Sequence, residues 1–120
     1  VVTWGDPRFG GSSSAVQAQL QDVQAVQATD YAFAAIVAGG SVVTWGDQRA
    51  GGDSSGVQEQ LENIRRIQAN PMAFAAILDG GSVVTWGCPC SGGDSSAVQE
   101  QLRDVRQLQA SGTAFAAILD

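Results

Sequence analysis

The stretch Gly51-Gly52-Asp53-Ser54-Ser55-Gly56-Val57-Gln58-Glu59-Gln60-Leu61-Glu62-Asn63-Ile64-Arg65-Arg66-Ile67-Gln68-Ala69 decides how the chain is read. Its glycines and serines make a flexible polar loop, and Ser55 stands three residues before Gln58, the spacing at which a capping serine and a returning glutamine satisfy each other's backbone N–H groups at a helix start. Behind that cap Val57, Leu61, Ile64 and Ile67 fall at spacings of four, three and three, while Gln, Glu and Arg fill the other positions. This is the period of a helix with one buried stripe. The spacing predicts a helix of about three turns, capped by Ser55 and ending near Ala69. Ser14 and Ser96 stand in the same relation to Gln17 and Gln99, with ends near Ala28 and Ala110. The last turn is also compatible with entry into a strand, because Val-x-x-Val-x-Ala carries β-branched residues.

The residues that follow read differently. Ala73-Phe74-Ala75-Ala76-Ile77-Leu78, a Gly-rich link at Asp79-Gly80-Gly81-Ser82, and Val83-Val84-Thr85-Trp86 form two short β-prone runs around a turn, a hairpin pattern. Apolar residues do not alternate with polar ones: Ala73, Ala75 and Ile77 share one face, Phe74, Ala76 and Leu78 the other. Both faces therefore need cover. A helix on one side and a neighbouring unit on the other supply it, and the alanines permit close approach.

Everything recurs. Trp4, Trp45 and Trp86 are 41 residues apart, as are Phe33, Phe74 and Phe115, and Leu20, Leu61 and Leu102. The chain is three units (1–41, 42–82 and 83–120) without insertions, each with a formal charge of −2 (one Arg against three acids, three against five, two against four). A fixed period of this length marks a repeat architecture in which stacking buries what one unit cannot. The fold class expected is an α+β repeat protein, each unit a capped helix plus a β-hairpin, stacking into a ring or propeller-like assembly; all-β propeller blades are the alternative. Residues 1–120 make a single repeat domain that reads as a window cut from a longer array. The repeated Trp, Phe and Leu positions are expected to pack between units.

The order of residues within a unit resembles the repeats of the regulator of chromosome condensation family, seven-bladed propellers also found in large ubiquitin ligases of the HECT class. The matching residues are Leu61, Ile64, Ile67, Ala69, Ala76, Ile77, Asp79, Gly80, Val84, Trp86 and Gly87, and the pattern covers the whole chain. The chain departs from the family in several ways: the unit is shorter, Thr29, Asn70 and Ser111 stand where a glycine is usual, and Ala32, Ala73 and Ala114 where a histidine is frequent. The stretch before the Leu, usually extended and proline-containing in the family, carries the capped helical pattern here, and these departures together lead to the expectation of a shortened, helix-bearing variant, with four-stranded blades the second choice. The family's nucleotide-exchange and chromatin contacts do not follow from fold.

Composition narrows the function classes. The 120 residues carry six arginines against twelve acids, a net charge of −6, with no lysine and no histidine. Without histidine there is no Ser-His-Asp or Cys-His nucleophile system and little basis for zinc. An acidic chain without a basic cluster gains nothing from releasing phosphate counterions, so nucleic acid is not an expected partner. No apolar run approaches the ~20 residues of a membrane span, and two cysteines are no disulfide framework, which points to an intracellular, cytoplasmic protein.

Candidate sites are few. Cys88-Pro89-Cys90 replaces the Asp6/Arg8 and Asp47/Arg49 positions of the other units and offers two sulfur ligands for a soft metal, or a redox pair. Asp53 and Asp94 place negative charge where an anion would sit before the helix, so Gly-Gly-Asp-Ser-Ser reads as a cap. Asp22, Asp104, Glu59, Glu62 and Glu100 read as a solvated face. The units differ most in the loop after Trp-Gly (Asp6, Arg8, Phe9; Asp47, Arg49) and before the hairpin (Tyr31; Met72), and these loops are the candidate binding residues. The expected function is a non-enzymatic scaffold for protein–protein interaction, without cofactor, self-assembling into a homo-oligomeric ring; the alternative is a metal- or redox-responsive module built on Cys88 and Cys90.

Overall fold

At Asn63 the chain turns into the left-handed region, with φ 56°, and Asp22 and Asp104 do the same at the equivalent positions, φ 51° and 54°. Short Asx side chains tolerate this conformation, and no α-helix passes through it. The computed structural model, which describes residues 1–120, accordingly has no helix over Val57–Ala69. That stretch is a single 3-10 turn at Gln58–Gln60, the left-handed Asn63, and then a strand, Ile64–Ala69.

The molecule is three antiparallel sheets. The first has order β1 (Ala25–Ala28), β2 (Ala32–Ile36), β3 (Val42–Gly46); the second β4 (Ile64–Ala69), β5 (Ala73–Leu78), β6 (Val83–Gly87); the third has two strands, β7 (Val105–Ala110) and β8 (Phe115–Leu119). The expectation of a capped helix plus hairpin in each unit is therefore corrected: the hairpin pairs as β2–β3 and β5–β6, and the predicted helix is replaced by a 3-10 turn and a third strand. The periodicity that suggested a helix has another cause. The register of β4 shifts between Ile64 and Arg66, and that of β7 between Val105 and Gln107. A bulge adds one residue, so Ile64 and Ile67, three apart, both turn inward while Arg65 and Arg66 face solvent. The spacing of three from Ile64 to Ile67 comes from a bulged strand, and that from Leu61 to Ile64 spans the left-handed Asn63.

The sheets stack face to face. Ala32, Ala34, Ile36 and Val42 of the first pack against Leu61, Ile67, Phe74, Ala76, Val84 and Trp86 on and beside the second. On the second sheet's other face Ala75, Ile77 and Val83 meet Val105 and Leu108 of the third. This is why the strands are apolar on both sides, and why alanine dominates β2 and β5, where a larger side chain would hold the sheets apart. The Val-Val-Thr-Trp-Gly runs at 42–46 and 83–87 open a 41-residue period and close the sheet of the unit before it, so the sheets straddle the unit boundaries.

Loops are tied down by repeated bonds. Ser54 Oγ donates to Gln58 Oε1 (2.9 Å), and Gln58 Nε2 donates to the carbonyl of Val42 (3.1 Å); Ser95 and Gln99 do the same to Val83, and Ser13 and Gln17 to Val1. The cap serines Ser14, Ser55 and Ser96 are thereby corrected: each is exposed, and the serine one position earlier makes the bond. With no helix there is no N-terminus to cap, and these serines pin a loop to a strand.

Candidate interaction surface

The loops after Trp-Gly begin with an extended residue followed by one 3-10 turn, and in two of them an acid caps the turn. Asp6 Oδ1 accepts from the Arg8 backbone N–H (3.0 Å), and its Oδ2 pairs with the Arg8 guanidinium at 2.7 Å. Asp47 and Arg49 repeat this at 2.8 and 3.0 Å. The Arg8 guanidinium, and then its backbone N–H, hold the Asp6 carboxyl down from 3.8 to about 2; Asp47 is lowered by Arg49 in the same way. Asp53 and Asp94 are lowered by their bonds to Ser55 and Ser96.

Cys88 and Cys90 take these same two places and are joined to each other by a disulfide. The backbone at Cys88 (φ −64°, ψ 122°) matches that at Asp47 (φ −67°, ψ 125°), so one loop shape is closed by an ion pair twice and by a covalent bond once. The metal assignment for Cys88 and Cys90 is corrected on this ground: both sulfurs are consumed in the bond and no thiol is free. No group of three or more metal-ligating side chains converges anywhere.

These loops and the β1–β2-type turns form one line. Thr29 Oγ1 donates to the carbonyl of Ala50 (2.8 Å) and Asn70 Nδ2 to that of Ser91 (2.6 Å); the N–H of Asp47 bonds Tyr31 and that of Cys88 bonds Met72. Asp30 N–H reaches the carbonyl of Pro71 at 2.8 Å, linking the first unit's turn to the second's. The most variable segments of the sequence thus share one rim. At its start Phe9 and Tyr31 touch, ring centroids 4.8 Å apart, with the Arg8 guanidinium 5.0 Å over Phe9. Met72 is half-buried further along.

The repeated apolar positions are unequal. Trp45 and Trp86 are 6% and 4% exposed and stack on Phe33 and Phe74 at 5.4 and 5.2 Å, whereas Trp4 is 84% exposed. Trp45 Nε1 donates to the carbonyl of Gly10 (3.2 Å) and Trp86 Nε1 to that of Gly51 (3.1 Å), each reaching 35 residues back to the loop of the preceding unit. Gly51 has φ 98°, and a Cβ there would lie 2.5 Å from Phe74, so the loop closes over the ring only because it is glycine. Leu20 and Leu61 are buried, while Leu102, Phe33 and Phe115 are half-buried.

Sequence reasoning missed the left-handed Asx positions, the Ser13/Ser54/Ser95 pins and the Trp–Gly bonds. The signal was present, since Asp22, Asn63 and Asp104 recur at the 41-residue period inside the predicted helix, where Asx is a poor interior residue. No protein-family model matches the chain, and no curated protein matches it. No helix is long and apolar enough to cross a membrane.

Proposed function

We propose that the chain is a non-enzymatic repeat scaffold for protein–protein interaction, with recognition on the loop rim and self-association of its sheet stack into a closed, propeller-like ring. The observation that carries this reading is the gathering of the variable loops onto one edge of a repeated frame, with Phe9 between Tyr31 and the Arg8 guanidinium there. Aromatic and arginine side chains supply most of the energy at protein interfaces, and a frame that repeats while its loops vary is built for display. The likeness to regulator of chromosome condensation repeats belongs to the same proposal, as does a cytoplasmic location. No cofactor or nucleic acid enters it.

The test is comparative capture: the chain is set against one in which Arg8, Phe9 and Tyr31 are replaced by alanine. A protein retained by the first and lost from the second supports the reading. Identical retained sets contradict recognition at the rim.

A second reading has one observation in its favour. The Cys88–Cys90 bond sits on an otherwise ion-paired loop at the rim, where reduction would release two thiols and unlock a single binding loop. If reduction leaves capture unchanged, this reading fails.

A further inference from the structure

The Cys88–Cys90 bond is the only covalent cross-link in the molecule, and the repeat shows that the loop does not need it. Two other units close the same loop with an ion pair, Asp6 with Arg8 and Asp47 with Arg49. The backbone at Cys88 (φ −64°, ψ 122°) is close to that at Asp6 (φ −66°, ψ 118°). The bond encloses Pro89 alone, and so short a loop removes little entropy from the unfolded chain. Four hydrogen bonds that use neither sulfur hold the segment. Cys88 N–H donates to the Met72 carbonyl (2.9 Å), the N–H groups of Ser91 and Gly93 to the Cys88 carbonyl (3.0 and 2.9 Å), and Asn70 Nδ2 to the Ser91 carbonyl (2.6 Å). The two Cα atoms, 5.2 Å apart, are thus kept together by the frame whether or not the sulfurs are bonded.

The two sulfurs differ in their surroundings. Cys90 is exposed, as is Pro89 before it, whereas Cys88 is half-buried and precedes the 3-10 turn Pro89–Ser91. At the equivalent places Asp6 and Asp47 accept from the backbone N–H two residues on, at 3.0 and 2.8 Å. In the disulfide that N–H, on Cys90, has no acceptor in the chain. A bonded sulfur carries no charge to attract it. A thiolate on Cys88 stands where the carboxylate oxygen stands in the other units and takes up the same bond, which is stronger for an ionised acceptor. On the other sulfur, the Ser91 hydroxyl lies 3.6 Å from Cys90 Sγ.

We infer that Cys88–Cys90 is a thiol–disulfide exchange site for dithiols, with Cys90 the sulfur attacked and Cys88 the sulfur that leaves as thiolate. In the first step one thiolate of the dithiol bonds to Cys90 Sγ, the Cys88–Cys90 bond breaks, and its electron pair stays on Cys88 Sγ, which accepts from the Cys90 N–H. In the second step the dithiol's other thiolate attacks the sulfur just joined to Cys90. This closes the dithiol's own disulfide and releases Cys90 as a thiolate beside the Ser91 hydroxyl. The two protons lost by the dithiol end on the two cysteines. The dithiol is oxidised by two electrons, the cysteine pair is reduced by two, and nothing else is consumed. Run in reverse, the reduced pair reduces a disulfide. A stabilised leaving thiolate speeds such exchange, and exposed bonds are the ones that undergo it. The step calls for neither a partner at the rim nor a change in loop shape, so it stands apart from both readings of function above.

Two measurements on the unaltered chain test this. In the first, the chain is exposed to reduced glutathione, whose single thiol takes the first step alone, quenched in acid at early times and mapped by tandem mass spectrometry. Glutathione is expected on Cys90, with Cys88 free. A mixed disulfide on Cys88, or one shared equally between the two, overturns the assignment of roles. In the second, reduction by dithiothreitol is timed by the release of thiols, in the folded chain and in the chain unfolded by urea. The folded chain is expected to be reduced several-fold faster, because only the folded loop sets the Cys90 N–H against the leaving sulfur. Circular dichroism should show the same strand content before and after. A bond reduced no faster in the folded chain than in the unfolded one overturns the site. A reduced peptide carrying Cys-x-x-Cys is run beside dithiothreitol: reaction with both extends the substrates to dithiols carried by proteins, and reaction with dithiothreitol alone confines them to small molecules.

Discussion

At the scale of single residues, three recurring side chains set the backbone. Asn63 stands in the left-handed region at φ 56°, where a β-branched residue costs about 1–2 kcal/mol and glycine nothing. Asn63→Val is expected to lower unfolding free energy by about that amount in urea titrations, and Asn63→Gly to leave it nearly unchanged. Trp86 Nε1 donates to the buried Gly51 carbonyl at 3.1 Å. Trp86→Phe leaves that carbonyl unpaired and should cost about 1–3 kcal/mol, whereas Trp4→Phe, at a side chain 84% exposed, should not change the stability of the isolated chain. Asp6 titrates in the unfolded chain at 3.8 and in the folded one at about 2, held down chiefly by the Arg8 guanidinium. A lowered carboxyl adds its contribution above its unfolded value and loses it as pH falls through the folded one, so the Asp6–Arg8 bond should persist at pH 4 and open towards pH 2. The Asp6 carboxyl carbon followed by NMR checks this, and Arg8→Ala should return its midpoint to the ordinary range.

At the scale of elements, the hairpins were legible and the third strand was not. Ala73–Leu78 and Val83–Gly87 are short, β-prone and separated by glycines, so sequence and structure agree there. Val57–Ala69 misled because two strand devices mimic a helix: a left-handed Asn63 that interrupts the chain, and a bulge after Ile64 that places residues three apart on one face. A period of three is ambiguous whenever a bulge is possible. The candidate loops lay in the variable segments, but their convergence on one rim depends on backbone bonds such as Asp30 to Pro71 that no spacing reveals. The Cys88–Cys90 closure was open to being read as a metal pair because only the matching loop geometry at Asp47 shows that the same two positions are brought together in another unit. It follows that Cys88→Asp with Cys90→Arg should restore the ion-paired form of the loop. A bond closing so short a loop adds no more than about 1.5 kcal/mol by chain entropy, so the melting temperature of this variant should fall by only a few degrees, with near-identical strand content by circular dichroism; a chain that no longer folds would contradict the equivalence of the three loops.

At the scale of the whole molecule, stability is shared between sheets and the contacts between them. The joint between the first and second sheets buries an alanine-rich face against the Phe74–Trp86 stack and adds one indole hydrogen bond to the Gly51 carbonyl, and the joint between the second and third packs Ala75, Ile77 and Val83 on Val105 and Leu108. Molecules of this type are nearest-neighbour chains, in which every added joint contributes again and the ends are weakest. The large exposed apolar residues include Trp4 at 84% and Ile118 and Leu119 at 43% and 45%. Apolar surfaces of this kind mark interaction sites. The central claim is the proposed one, that the chain self-associates into a closed assembly. Light scattering coupled to size exclusion over a dilution series tests it most directly. A single mass, an integer multiple of 12.3 kDa that resists dilution, is the result predicted; a monomer of that mass at every concentration would contradict it.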